Sequence, residues 1–99
     1  MPPLITMPYS VKTVALVKKG PRSLLGNQLG RLAVDKDLSV IRIAKATGAS
    51  RQTVYNWMLG GEVIAPYRPH VERLINILKS YPNAEKAWSQ ICLEFNLQP

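Results

Sequence analysis

The chain has 99 residues and a mass of 11.0 kDa, enough for one ordinary domain and too little for two. Hydrophobic residues make up 46% and charged residues 19%, so the chain can fill a core and is not of the disordered class. The formal net charge of +7 points toward an anionic partner, and a domain this small has little room for a deep enzyme cleft.

The positive charge is confined to the first part of the sequence. Residues 1–61 contain only two acids, Asp35 and Asp37, whereas residues 62–99 contain four side chains of each sign. The nine basic residues of the first part are Lys12, Lys18, Lys19, Arg22, Arg31, Lys36, Arg42, Lys45 and Arg51. This distribution predicts that the first part faces a polyanion; a basic, solvated surface that keeps the protein soluble is the alternative.

One cysteine, Cys92, and one histidine, His70, exclude an internal disulfide and any cysteine-based zinc site. We expect Cys92 to be a buried packing residue and His70 to lie at the surface, and we expect no metal or cofactor. The longest apolar run, residues 14–17, is too short for a signal or membrane-spanning helix, and the first residues lack a basic segment. The sequence therefore predicts a soluble, cytoplasmic protein without membrane association.

Prolines at positions 2, 3 and 8 disfavour regular structure at the start of the chain. We expect a flexible arm over residues 1–9 and one domain over residues 10–99. Ser10 can cap a short helix over residues 10–19, which Gly20 and Pro21 would end. β-branched residues in the same segment also favour a strand, and helix is the preferred interpretation.

The next helix is predicted to open at Ser23, because leucines at 25, 29 and 32 recur at helical spacing. It should end near Asp35 to Asp37. Gly26 and Gly30 each weaken such a helix by up to about 1 kcal/mol relative to Ala, unless another backbone packs closely there.

Two further amphipathic helices are predicted in the last third of the chain. The first starts near Pro69, and Asn83 can cap the second after a break at Tyr81 and Pro82. Their apolar stripes are Val71, Leu74, Ile75 and Leu78, then Ala84, Ala87, Trp88, Ile91, Cys92 and Phe95. The predicted fold class is all-α, a compact bundle of about five short helices.

Residues 39–60, SVIRIAKATGASRQTVYNWMLG, are typical of two short helices joined by a tight turn. Ser39 and Ser50 can cap the helices, and Gly48 can adopt the left-handed conformation between them. The residues expected to face the core are Ile43, Ala44, Val54 and Trp57. The second helix, about ten residues long and ended by Gly60 and Gly61, presents a polar first turn outward. Reading the DNA major groove requires this combination of a small turn, a rigid apolar back and a polar front.

Here the chain resembles the helix-turn-helix proteins of the phage Cro and repressor group, the lambda-repressor-like family. The resemblance rests on Ala44, on Gly48 and on the run GASRQTVYNW at residues 48–57, and it covers the middle third of the chain. Transposase and resolvase DNA-binding domains carry similar runs. The resemblance implies a phage or prophage regulator of transcription that binds double-stranded DNA, as a homodimer on near-palindromic sites.

The resemblance also implies roles for single residues of the motif. Arg51 and Gln52 hold the positions where the family reads base edges, and their side chains can pair bidentately with guanine and adenine. Tyr55, one turn further on, can contact a thymine methyl group or a phosphate, or else be partly buried. The phosphate contacts expected within the motif are Ser39, Ser50, Thr53 and Asn56.

Further phosphate contacts are expected outside the motif, from Arg68 and from Lys18 and Lys19. The sequence leaves two interpretations of the basic residues that precede the motif. Together with Lys12 and Arg22, these lysines form either an arm that tracks phosphate or a plain charged face.

The sequence departs from the family pattern at two places. The family often has Gln where this chain has Val40, which leaves the backbone N–H groups of that helix N-terminus for phosphate. The loop after the motif carries Glu62, which phosphate would repel. Val63 and Ile64 in the same loop can either seal the core or meet a second subunit.

No constellation of nucleophile, base and orienting group is visible, so we expect neither an enzyme nor a small-molecule substrate. Two other functions remain open. One is a DNA-recognition subunit of a recombination or phage DNA-packaging complex, and the other is a protein-interaction module that reuses the fold. The last helix is a candidate dimer surface.

Overall fold

The computed structural model describes residues 9–98, and all regular structure within them is helical. The helices are α1 (Val11–Lys19), α2 (Leu25–Lys36), α3 (Val40–Thr47), α4 (Arg51–Met58), α5 (Arg68–Ser80) and α6 (Ala84–Glu94), with a 3-10 turn at Ala65–Tyr67. The predicted all-α class is confirmed, with six α-helices in place of about five. None of the helices in this part of the chain has the length and apolar character needed to cross a membrane.

Side-chain caps start four of the helices where the sequence predicted them. Ser10, Ser39, Ser50 and Asn83 each accept a hydrogen bond from the backbone N–H three residues later, at 3.0–3.3 Å. These bonds satisfy N–H groups that have no partner inside the helix. Residues 11–19 are therefore helical despite their β-branched side chains, because the cap and the buried Val17 outweigh local propensity.

Two helix boundaries differ from the prediction. Helix α2 begins at Leu25 and not at Ser23, because a turn precedes it in which the Leu24 N–H donates to the Pro21 carbonyl at 3.1 Å. Helix α4 has eight residues and not about ten. It ends at Met58, since Gly60 takes a positive φ of 111° that a continuing helix cannot contain.

The crossing of α2 and α4 explains the two glycines inside α2. A Cβ placed on Gly26 would lie 2.6 Å from the carbonyl oxygen of Trp57. A Cβ on Gly30 would lie 2.8 Å from the Cβ of Met58. Both distances are shorter than a carbon atom tolerates, so only glycine permits this backbone approach.

The core is one continuous cluster to which all six helices contribute. The apolar stripes predicted for α5 and α6 are buried, except for the partly exposed Phe95. Trp57, Trp88 and Cys92 are buried as predicted, and His70 is exposed. Of the two apolar loop residues, Val63 seals the core and Ile64 lies on the surface.

Tyr9 corrects the predicted extent of the flexible arm. Its ring is buried, and its hydroxyl donates a 2.5 Å hydrogen bond to the carbonyl of Leu38, 29 residues away. Burial raises the pKa of the Tyr9 hydroxyl above its ordinary value. Residue 9 thus belongs to the domain, and residues 1–8 of the predicted arm lie outside the described residues.

Candidate nucleic-acid interface

Helices α3 and α4 are joined by residues 48–50, and local hydrogen bonds fix this connection. Gly48 has a φ of 79°, the left-handed conformation predicted for it. The buried Thr47 hydroxyl donates to the Ile43 carbonyl at 2.9 Å and accepts from the Ala49 N–H at 3.3 Å. Because the turn has few free dihedral angles, it sets the direction in which α4 leaves α3.

The back of α4 is anchored on the core. Val54, Trp57 and Met58 are buried, and the rings of Trp57 and Tyr67 lie with centroids 5.2 Å apart. The buried Asn27 donates from Nδ2 to the carbonyl of Met58 at 2.7 Å. This support makes α4 a rigid platform for the side chains of its outer face.

The front of α4 is polar. Arg51, Gln52 and Asn56 are exposed, and Gln52 Nε2 donates to Asn56 Oδ1 at 3.2 Å. Ser50 Oγ, which caps the helix, also donates to Thr53 Oγ1 at 2.9 Å. This face therefore carries a guanidinium group, two amides and two hydroxyl groups along one and a half turns of helix.

An open depression of about 600 Å³ lies between the N-terminal turns of α3 and α4. Its walls are formed by Ser39, Val40, Ile41, Arg51, Gln52 and Tyr55. The structure thus brings together all three residues predicted to contact bases and one of those predicted to contact phosphate. Tyr55 is half-buried, as one of its two interpretations predicted: it packs against the core and also lines the depression.

The two apolar residues of the depression differ in their exposure. The Val40 side chain is only 4% exposed and is turned into the core, so it offers nothing to a ligand. Ile41 is 51% exposed and was not singled out in the sequence. The sequence pattern could have identified Ile41 as exposed, because it lies off the buried stripe that Val40, Ile43 and Thr47 form on α3.

Three residues predicted to contact phosphate lie away from this depression. Lys18 lines a second depression beside α2 and α5, where its Nζ is 3.3 Å from Asp35 Oδ1. Lys19 is exposed at the end of α1. Arg68 lines a third depression, next to Glu62 and the loop that follows α4.

Some of the basic side chains of the first part also make hydrogen bonds and ion pairs that stabilise the fold. Arg31 donates through Nη2 to the carbonyls of Lys18 and Gly20, and Lys36 Nζ donates to the Tyr81 carbonyl. Arg42 pairs with Glu85 at 3.0 Å, and its guanidinium carbon lies 5.0 Å from the centroid of the Trp88 ring. The charge available to a polyanion is therefore smaller than the sequence count suggests.

In the described residues, no group of three or more His, Cys, Asp or Glu side chains is placed to hold a metal ion. Comparison of the chain with protein-family models, with curated proteins and with solved structures yields no match. The open surface between the first turns of α3 and α4, which we call the α3–α4 depression, is the candidate site.

Proposed function

We propose that the protein is a sequence-specific regulator of transcription that binds double-stranded DNA through the α3–α4 depression. One observation carries the proposal: Arg51, Gln52 and Tyr55 converge on one open surface at the capped N-terminus of α4. An exposed helix N-terminus on a rigid apolar support suits insertion into the major groove. The net positive charge of residues 1–61 supports a polyanionic partner.

Arg51 and Gln52 select the sequence in this proposal. The guanidinium group can donate two hydrogen bonds to guanine O6 and N7, and the amide can pair with adenine N6 and N7. The bond between Gln52 and Asn56 holds the Gln52 amide at the surface before DNA arrives. Tyr55 supplies a ring edge for a thymine methyl group or a hydroxyl for a phosphate.

The phosphate contacts proposed around this surface come from hydroxyl and amide groups. Ser39, Ser50, Thr53 and Asn56 flank the first turns of α3 and α4, where backbone N–H groups and the positive helix ends also favour phosphate. Lys18 lies at the second depression, beside α2 and α5, whereas Arg68 and Lys19 add cationic contacts from beyond the α3–α4 depression. The sequence-independent part of the affinity comes from these groups.

We further propose that the protein acts as a homodimer in the cytoplasm, on half-sites about 34 Å apart. Leu93 on α6 is a large apolar side chain that is 78% exposed, which makes the C-terminal end of α6, distant from Lys86 in its first turn, the candidate dimer surface.

Selection from a randomised duplex pool at about 150 mM salt, followed by sequencing of the retained DNA, tests the proposal. We expect a palindromic consensus. Retention without a consensus would contradict sequence-specific regulation and leave binding driven by charge alone, which would favour a subunit of a DNA-packaging complex. No retention at all would favour a protein-interaction module.

The substitution Arg51→Ala tests the base-reading role directly. We expect it to weaken binding to the selected duplex by about 1–3 kcal/mol and to relax selection at one base pair. Lys19→Ala should weaken binding to all sequences alike. Lys86→Ala, an exposed lysine on α6, is the matched control and should leave both quantities unchanged. Equal losses on every sequence for Arg51→Ala would remove its assigned role.

A further inference from the structure

A second depression, of about 500 Å³, lies where the ends of α1 and α5 meet the side of α2. Four cationic residues line it, and we call them the α1–α2–α5 basic face: Lys18, Arg22, Arg31 and Lys79. Asp35 is the single acid in its wall, which leaves a net charge of +3. The side chains of Lys18 and Asp35 are 53% and 57% exposed, so water and salt weaken the attraction between their charges.

This face points away from α4. In α2, Gly26 and Gly30 approach the backbone of α4, whereas Gln28 and Leu32 line the second depression. Residues two apart in an α-helix differ in direction by about 200°. The two surfaces therefore lie on nearly opposite sides of α2, and a duplex docked on the outer face of α4 does not reach the basic face.

Arg31 connects α2 to the C-terminal end of α1 at the basic face. Its guanidinium donates to the carbonyls of Lys18 and Gly20 and to Asn27 Oδ1, with donor–acceptor distances of 2.6–2.9 Å. These bonds cover carbonyl oxygens at the C-terminal end of α1, which would otherwise repel an anion. Arg22 and Lys79, both exposed, extend the positive charge to either side.

We propose that the α1–α2–α5 basic face binds the phosphodiester backbone of a second duplex segment, so that one molecule holds two segments of DNA. Cations around an open surface suit a sequence-independent phosphate contact, because phosphate oxygens require positive charge and no particular pattern of donors and acceptors. Binding of two segments by one molecule rests on the function proposed for α4, whereas the phosphate contact at the basic face is tested separately from it.

The first test measures binding of the full chain to a fluorescent duplex of scrambled sequence at 50–200 mM salt. Lys79→Glu is compared with Lys86→Glu, which makes the same charge change on an exposed position of α6. Loss of one phosphate contact should lower the salt slope by about 0.9 and the affinity at 0.1 M salt by about eightfold. Lys86→Glu should change the affinity less than about twofold. Equal effects of the two variants would overturn the proposal, because they would reflect net charge alone.

The second test asks whether two segments bind at once. Protein is loaded onto a bead-bound duplex, excess protein is washed away, and capture of a free fluorescent duplex is measured. We expect the parent protein to capture it and both Lys79→Glu and Arg22→Glu to lose most of the capture. Capture that persists in these variants would overturn the proposal and would indicate bridging by a protein dimer.

Two controls distinguish a lost phosphate contact from a folding defect and from recognition at α4. Lys79→Gln should lose part of the capture. Its thermal unfolding, measured by circular dichroism, should match that of the parent protein, which excludes a folding defect. Arg51→Ala should keep capture of the scrambled duplex. A pool without any consensus, together with a selective effect of Lys79→Glu, would reject the function proposed for α4 and retain the basic face.

Discussion

At the scale of single residues, Asn27 ties three helices together. It is fully buried, and its Nδ2 donates to the carbonyl of Val17 at 2.9 Å and to that of Met58 at 2.7 Å. Its Oδ1 accepts from Arg31 Nε at 2.8 Å. One amide thus satisfies a carbonyl at the end of α1 and another at the end of α4, and it orients Arg31.

Replacing this amide should destabilise the fold. Asn27→Ala removes the donor to the Met58 carbonyl, leaves the Val17 carbonyl with only the Gly20 N–H, and creates a small cavity, so we expect a loss of about 2–4 kcal/mol in the free energy of unfolding. Urea denaturation measures it. Asn76→Ala, at an exposed position of α5, is the matched control and should change stability by less than about 0.5 kcal/mol. A similar small change for Asn27→Ala would contradict the role of Asn27.

At the scale of helices, the close crossing of α2 and α4 positions the candidate interface. Backbone contact at Gly26 and Gly30 leaves α4 little freedom to shift relative to the core. The sequence indicated the condition for this contact, two glycines four residues apart in a helix. Only the folded chain identifies Trp57 and Met58 as the residues that fill the gap.

An added methyl group at this crossing tests the packing. Alanine raises helix propensity by up to about 1 kcal/mol, but in Gly26→Ala the new Cβ would meet the Trp57 backbone at 2.6 Å. We expect a net loss of about 1–3 kcal/mol in unfolding free energy, measured by urea denaturation. Asp35→Ala, on the exposed side of the same helix, should stay within about 1 kcal/mol of the parent. A stabilising Gly26→Ala would show that the helices can move apart.

Helices α5 and α6 are joined by an ion pair with a consequence for acid stability. The Arg73 guanidinium bonds both carboxylate oxygens of Glu94, and Gln90 donates to one of them. These bonds lower the pKa of Glu94 from 4.5 to about 2. Because the folded-state pKa is depressed, the stabilisation is present above pH 4.5 and is lost as the pH falls toward 2.

Removing the charge of Glu94 should flatten the dependence of the unfolding free energy on pH between pH 4.5 and about 2. We expect Glu94→Gln to be less stable than the parent near pH 6 and the difference to shrink between pH 4.5 and about 2. Urea denaturation at several pH values measures it. Glu72→Gln, an exposed control on α5, should follow the parent curve. A Glu94→Gln profile parallel to that of the parent would show that ionisation of Glu94 adds no pH-dependent stability.

At the scale of the whole molecule, the buried side chains of all six helices form one cluster. The two tryptophans report from different helices, Trp57 on α4 and Trp88 on α6. A single core predicts cooperative unfolding without a separately stable part.

Two single-tryptophan variants test this cooperativity. Fluorescence of Trp88→Phe, which retains Trp57, and of Trp57→Phe, which retains Trp88, should each give the same urea midpoint as circular dichroism of that variant. An earlier midpoint for Trp88 fluorescence would show that α6 unfolds before the rest.

Local features of the fold were predictable from the sequence. The caps at Ser39 and Ser50, the left-handed Gly48 and the apolar stripes depend on residues within one or two turns of each other. The chemistry of Arg51 and Gln52 at the start of α4 follows from the same local pattern. Helix boundaries were less predictable, because the turn before α2 and the positive φ of Gly60 after α4 set them.

The charged residues show most clearly which properties the sequence determines and which depend on tertiary structure. The sequence by itself determined that residues 1–61 carry the whole positive excess, and that one polar helix start follows a tight turn. Folding decided that Arg42 pairs with Glu85, that Lys18 faces a different side from Arg51, and that Ile41 joins the depression. Local patterns determine helices because their bonds join near neighbours. The direction of each face depends on contacts between residues tens of positions apart, and these exist only once the core has formed.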